Sequence, residues 1–465
     1  CMRALILFFA AVTVIYAEES VYGAYKLSGN VINIDELKQK VDLSGNDTHF
    51  TVFGTGSKDE RNLLRRYGLF VEDFIKGRPF RDIAFPSGYH NPSELLREME
   101  NLVTKDPKIA MIIDLMDAYN IPRTADGRTV KAIKISDNVA SYEDEPNFIF
   151  VANCHAREVV TPEIALDTAK RLVNGYGSDP EITEIVDQNQ IVIVWTFNPD
   201  GLQYVWSTNN MWRKNRRNNG GGIFGVDMNR NFPFGWSGFP GSGSTNPSSD
   251  GYRGPSAASE PEVQAVIALQ EDYVPDKVLD WHSYARDVRP CYGTSGELPV
   301  IMNNYFRDIA TKHGDSMGYK LGNAIAMGTQ RNNAYHTFGA VAELVETATS
   351  FQPSENTMKQ ELVRVWPGTL FWIDLPIPLS GHVKNAQGVP IRATIEIVDV
   401  DFLYGESNYS NPKNGRYHVW IPAGQRTVRF TASGYSPVTL TVEITSSGVV
   451  REVVMSNQEP YINSQ

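Results

Sequence analysis

Residues 89–376 alternate helical segments with short apolar runs, and this alternation constrains the fold more than any other feature. Such a pattern folds as helices packed around a sheet of buried strands. Strands are expected at 129–135, 148–154, 191–197, 277–281 and 341–345, and a helix at 92–103. Thr161 followed by Pro162 predicts a second helix, capped by the threonine, with the proline at its first position and Gly175 at its end. Asp374-Leu375-Pro376-Ile377-Pro378 reads as a linker. Beyond it, short strands at 381–384, 393–398, 417–421, 426–432 and 439–444 are separated by Gly, Pro and Asn turns, the pattern of a small β-sandwich over 379–456. Residues 18–88 read as a separate small α/β unit, helical at 37–41 and 60–68 and strand-like at 48–53 and 69–74. It ends in a Gly/Pro-containing stretch with Lys76, Arg78 and Arg81, an exposed linker with basic cleavage sites.

A length of 465 residues fits two or three domains. Apolar content of 42% and charged content of 21% describe a globular chain. A net charge of -11 argues against nucleic acid as a partner. Arg3, the apolar run 4–17 and the glutamates Glu18 and Glu19 read as a signal peptide over 1–17, so secretion is expected. No later segment approaches ~18 uninterrupted apolar residues, so no membrane anchor is expected. Cys154 and Cys291 remain after the signal, too few for a disulfide framework; the sequence leaves open whether they pair. Asn46-Asp47-Thr48 and Asn408-Tyr409-Ser410 match glycosylation acceptors.

Asn153-Cys154-His155-Ala156-Arg157-Glu158 follows an expected strand and precedes an expected helix, where sites of open α/β sheets lie. Imidazole nitrogen and carboxylate oxygen three residues apart both suit Zn²⁺. A catalytic zinc needs a third protein ligand and one open position. His282, at the end of the expected strand 277–281, is the best candidate. Glu343 lies inside the apolar run 340–345, where an ionised carboxylate needs a partner or a task; a general base is one such task, a structural ion pair the other. Glu346 is the less favoured base. Arg213 belongs to one cationic run, and Asn229 and Arg230 to a polar cluster after a Gly-rich loop. Arginine binds carboxylates through paired hydrogen bonds, as an enzyme that cuts at chain ends requires. Arg216 and Arg217 read as a solvated face, and Asn198-Pro199-Asp200-Gly201 as a tight turn.

In order, His-x-Arg-Glu, Asn-Pro-Asp-Gly, Trp-Arg-Lys, Gly-Val-Asp-x-Asn-Arg-Asn and His-Ser-Tyr resemble the zinc carboxypeptidases of the A/B type over residues 89–376. The resemblance implies a mixed-sheet α/β catalytic domain with one zinc ion held by His155, Glu158 and His282. It implies Arg213 facing the oxyanion, Asn229 and Arg230 clamping the terminal carboxylate, Glu343 as base, and Arg157 and Tyr284 lining the cleft. The substrates would be peptide and protein C-termini. The N-terminal unit resembles the family's ferredoxin-like inhibitory propeptide, which implies a zymogen and an activating protease. The sandwich resembles the transthyretin-like domains of another family branch. Two departures stand out. The family's mobile tyrosine falls at about Ala324, with Tyr319 out of register, and the interval from Tyr335 to Glu343 is short. Arg331 falls at the floor of the pocket for the last side chain, which implies a preference for C-terminal Glu or Asp. Retention of the ligand set favours an enzyme. The missing tyrosine favours the alternative, a catalytically weak secreted peptide-binding homologue.

Overall fold

A computed structural model describes residues 23–29, 42–45, 50–54, 58–67, 69–76, 87–292, 298–323, 325–406 and 408–458. The expected signal at 1–17, the helix at 37–41, Arg78, Arg81, the Asn46 acceptor and the position of Ala324 lie outside these residues. In the N-terminal unit, strands β1 (Gly23–Gly29), β2 (Asp42–Gly45), β3 (Phe50–Gly54) and β4 (Leu69–Lys76) form an antiparallel sheet in the order β2-β3-β1-β4. Helix α1 (Lys58–Arg66) links β3 to β4. It buries Leu64.

The middle of the chain forms an eight-stranded mixed sheet. Its strands are β5 (Ala110–Asp114), β6 (Lys131–Ile135), β7 (Asn147–Ala152), β8 (Gln190–Val194), β9 (Lys277–Ser283), β10 (Asp287–Pro290), β11 (Lys320–Leu321) and β12 (Val341–Thr347). Their order is β11-β10-β12-β9-β7-β8-β6-β5, with β12, β9, β7 and β8 parallel at the centre. Every residue of β7, β8 and β9 is buried. Central parallel strands covered on both faces read as continuous apolar runs, which is why the sequence announces them. Strands β10 and β11 carry no such run and fall outside the expected strands; so does the edge strand β5, although residues 109–113 are apolar.

The helices that cover this sheet and carry its site include α2 (Pro92–Lys105), α3 (Val160–Gly175), α4 (Pro261–Tyr273), α5 (Val300–Met317), α6 (Gln330–Phe338) and α7 (Glu355–Asp374). One face of the sheet packs with α2, α3, α5 and α7 through Met99, Ile164, Leu172, Phe306 and Trp372. The other packs with α4 through Val263, Val266 and Leu269. Side chains alternate along a strand. His282 pairs with Glu346, and Asp280 with Leu344, across β9 and β12. Asp280, His282, Leu344 and Glu346 therefore share one face, and Leu279, Trp281, Glu343 and Val345 share the other.

Beyond α7 the chain enters two small sheets, as the all-β pattern predicts. One is β13 (Leu379–Asn385), β16 (Arg416–Val419), β19 (Val449–Val450) and β20 (Val453–Met455). The other is β14 (Thr394–Ile397), β15 (Asn408–Tyr409), β17 (Gly424–Thr431) and β18 (Val438–Ile444). Asn408 donates its amide to the His418 carbonyl and Ser410 is buried, so this glycosylation motif points into the fold. The sandwich is not hung on a loose tether. Trp420 Nε1 donates to the Asp276 carbonyl at 2.9 Å, and His418 Nδ1 lies 3.3 Å from Asp276 Oδ1. At the same seam, buried Lys277 donates to the carbonyls of Trp372 and Ile373 at 3.0 and 2.6 Å, at the C-terminal end of α7. Apolar residues of the sandwich and of the central sheet form one continuous cluster. Trp420→Ala should therefore destabilise the central-sheet region as well, by about 3–5 kcal/mol, the usual cost of truncating a buried aromatic. Calorimetry should show both regions melting in one transition at a lower temperature; an unchanged transition of the central-sheet region would contradict the shared core.

Candidate metal centre

Strand β7 stops at Ala152, and Asn153 turns the chain with φ 60°, a left-handed conformation that asparagine tolerates better than most residues. Its backbone N–H donates to Thr161 Oγ1, and the same hydroxyl donates to the Glu158 carbonyl, each at 2.9 Å. Thr161 is thus not the helix cap that its place before Pro162 suggests. Helix α3 begins at Val160, one residue earlier, and the threonine clamps the loop holding His155 and Glu158. Asn198 fastens the loop from below. It caps the helix Pro199–Ser207 through Gly201 N–H at 2.9 Å and donates to the carbonyls of Cys154 and Lys214, both at 3.1 Å. The segment read as a tight turn is the start of that helix and a positioning device for the site.

This bracing brings three distant residues together. His155 Nδ1 is 2.7 Å from Glu158 Oε1, and His282 Nδ1 is 3.0 Å from Glu158 Oε2 and 3.1 Å from His155 Nδ1. All three are buried, and their ligand atoms lie within 4.8 Å of one another. The outer nitrogens face carboxylates: His155 Nε2 is 3.2 Å from Asp227 Oδ1, and His282 Nε2 is 3.1 Å from Asp280 Oδ2. Such contacts fix each ring with its inner nitrogen free to coordinate. Burial disfavours charge on His282, but Asp280 and Glu158 outweigh it and raise its pKa to about 10. Burial likewise opposes the ionised forms of Glu158 and Asp227. The imidazoles around Glu158, and Arg213 with His155 around Asp227, hold both below the usual carboxylate range. This cluster of anions around two inward nitrogens fits a divalent cation, and a His₂Glu donor set suits Zn²⁺.

Arg213 stands beside the cluster. Its Nη2 donates to Asp227 Oδ2 at 2.9 Å, and its Nη1 is 4.0 Å from Glu158 Oε1. Asn229 Nδ2 is 3.1 Å from His282 Nε2, and Arg230 donates to the Asn229 carbonyl at 2.7 Å. Tyr284 packs its ring edge on Phe351, at 4.8 Å between centroids. Arg157 is fully buried under the same Phe351 ring, 4.2 Å from its centroid, and lies 3.8 Å from Asp250. With no exposed surface, it buttresses the Phe351 ring from beneath. Arg331 sits buried in the first turn of α6 and donates to the Arg289 carbonyl at 3.4 Å. Burial and the Arg289 charge lower its pKa to about 10. Cys154 and Cys291 are both free and buried. Tyr319 is buried as well, its hydroxyl held by Thr347 and Glu361. Arg216 stacks on Tyr204 and Arg217 pairs with Glu260, so neither makes a purely solvated face.

Glu343, expected as the base, lies away from the candidate metal ligands. Glu343 points to the face opposite His282 and pairs with His313 Nδ1 of α5 at 2.6 Å, deep in the helix-covered core. Its carboxyl is a structural partner of that histidine. Glu346, three residues on, shares the face of His282. Its Oε1 accepts from Arg289 at 2.9 Å, and its Oε2 has no hydrogen-bond partner among the described residues. The short interval from Tyr335 to Glu343 was the available signal. The sequence held no direct sign of Asp280 as the brace of His282.

A family model for zinc carboxypeptidases matches residues 96–371, more than half of the chain. The chain belongs to the zinc carboxypeptidase family. Among relatives of this carboxypeptidase-family chain, carboxypeptidase A2 of Rattus norvegicus is 33% identical over 243 residues, 50% of this chain and 55% of that protein. Carboxypeptidase A1 of Sus scrofa is 33% identical over 215 residues, 46% of this chain and 48% of that one. The chain spans about half the length of the curated relatives it matches. In fold it is similar to the carboxypeptidase A of Helicoverpa armigera, with a TM-score of 0.62 at 19% identity over 76% of this chain and 96% of that one. Thrombin activatable fibrinolysis inhibitor gives a TM-score of 0.59 at 18% identity, over 76% of this chain and 98% of the other.

Exchange of the two glutamates separates their roles. Glu343→Gln should lower the melting temperature yet leave kcat within about threefold, whereas Glu346→Gln should fold normally and lose about 10²–10⁴ in kcat. The reverse pattern would return the base to Glu343.

Proposed function

We propose that the chain is a secreted, zinc-dependent metallocarboxypeptidase that removes C-terminal residues, with a preference for acidic ones. The observation that carries this reading is the convergence of His155, Glu158 and His282 within ligand distance of one another. These three residues would hold the ion. Zinc, when bound, supplies a Lewis acid that makes water acidic near neutral pH.

The rest is the work of the chain's own groups. Asn229 and Arg230 hold the substrate's terminal carboxylate, the feature that limits cutting to the last peptide bond. Glu346 takes a proton from the attacking water and returns it to the departing amine. Arg213 faces the oxygen on which negative charge develops; one donor of this kind contributes a factor of roughly 10²–10³. Arg331 meets the last side chain, and a buried guanidinium favours a carboxylate there. Tyr284 and the Phe351 ring, backed by Arg157, border the cleft. The N-terminal four-stranded unit is read as an inhibitory propeptide released by an activating protease in the segment around Arg78 and Arg81. The sandwich is read as a transthyretin-like domain.

Peptides differing only in a C-terminal Glu, Phe or Lys test this. Hydrolysis should stop with a chelator, return with zinc, and favour Glu; Arg331→Leu should cut kcat/KM for the Glu peptide by about 10²-fold. A preference for Phe or Lys would sink the acidic specificity. Absence of hydrolysis after limited trypsin treatment and zinc loading would sink the enzyme.

A further inference from the structure

Strand β10 carries an ion network that the proposed hydrolysis does not require. Asp287 and Arg289 pair with Glu346 and Leu344 of β12, so their side chains share the face of His282. Arg289 Nε and Nη2 fork onto Asp287 at 2.8 and 3.2 Å, and Nη1 reaches Glu346 Oε1 at 2.9 Å. The fork toward Asp287 occupies one edge of the guanidinium, which leaves Nη1 to Glu346. Arg331, the candidate contact for the last side chain, donates to the backbone carbonyl of this same Arg289. Arg230, the candidate clamp for the terminal carboxylate, also feels the Arg289 charge, as does Arg331. The hydrogen bond to the Arg289 carbonyl thus places Arg331 beside the strand that carries the Glu346 partner.

We propose that Arg289 is a latch on Glu346 that an acidic C-terminal side chain opens. This rests on the carboxypeptidase reading and on Glu346 as its base. In the free chain Arg289 Nη1 engages Glu346 and weakens it as a proton acceptor. A substrate γ- or β-carboxylate, held beside Arg331, takes over the Nη1 donor and frees Glu346. A neutral side chain of the same shape cannot make the exchange. A ligand shifts an equilibrium only through its differential contacts with the two states, and here the difference is one charge-assisted hydrogen bond. Arg289 thus acts as a positioning residue: the acidic substrate gains in kcat as well as in KM.

The test compares kcat and KM for peptides ending in Glu and in its neutral isostere Gln. Wild type should show a kcat ratio of Glu over Gln on the order of tenfold, the size of one hydrogen bond to a charged group. Arg289→Gln should raise kcat for the Gln peptide and bring the ratio near one. Arg331→Gln should raise KM for the Glu peptide while the kcat ratio persists. If loss of the Asp287 partner impairs folding of Arg289→Gln, the double variant Asp287→Asn with Arg289→Gln removes both charges and should give the same collapse. Equal kcat for the two peptides in wild type, or an equal fall in kcat for both in the Arg289 variants, overturns the latch and leaves the carboxypeptidase reading standing. Failure of wild type to hydrolyse either peptide with zinc present overturns both.

Discussion

Two buried imidazoles held back to back against carboxylates are the constraint on which the site depends. Asp227 takes the outer nitrogen of His155 and Asp280 faces that of His282. Removing such charges from water costs several kcal/mol per ion unless each finds a partner. The sheet, the loop after β7 and the loop around Asp227 must all be in place before those partners meet. The candidate metal cluster is therefore a consequence of the whole fold. It also explains the density of braces around one short loop. Thr161, Asn153 and Asn198 each commit hydrogen bonds to the segment from Asn153 to Glu158.

The parallel pairing of β9 with β12 does the second piece of work. It sets His282 opposite Glu346, and β10 adds Arg289 and Asp287 to the same face. Candidate ligand, candidate base and its arginine partner thus come from three adjacent strands. Their spacing is that of a sheet rather than of a flexible loop. Opposite them, Glu343 and His313 form a buried pair within the helical layer, stacked near Phe371 and Trp372. One strand carries the carboxylate proposed as base and one paired with a histidine, three residues apart and on opposite faces.

That contrast marks how far the sequence could be read. Apolar runs gave the central strands, because parallel strands buried on both faces have little polar content. The His-x-x-Glu pair and His282 were legible from their positions at strand ends. Glu343 was not legible as structural: a carboxylate in an apolar run has the same appearance whether it serves a histidine or a substrate. Choosing between Glu343 and Glu346 needs the register between β9 and β12, and a one-residue shift reverses the face of every side chain. No single strand encodes that register. Strands β10 and β11 lacked an apolar run, so Arg289 and Asp287 had no sheet to belong to before the fold was known. The sandwich was legible from its turns, but its seam through Asp276, Lys277 and Trp420 was not, since those contacts join residues about a hundred positions or more apart.

The central claim is that His155, Glu158 and His282 form one metal site. Elemental analysis of the purified chain, after dialysis against zinc and then against metal-free buffer, tests it most directly. The account predicts one zinc per chain in the wild type and its loss in His282→Ala, with far-ultraviolet circular dichroism unchanged. A wild-type chain that retains no zinc and takes none up, or a His282→Ala chain that binds zinc as well as wild type, would contradict it.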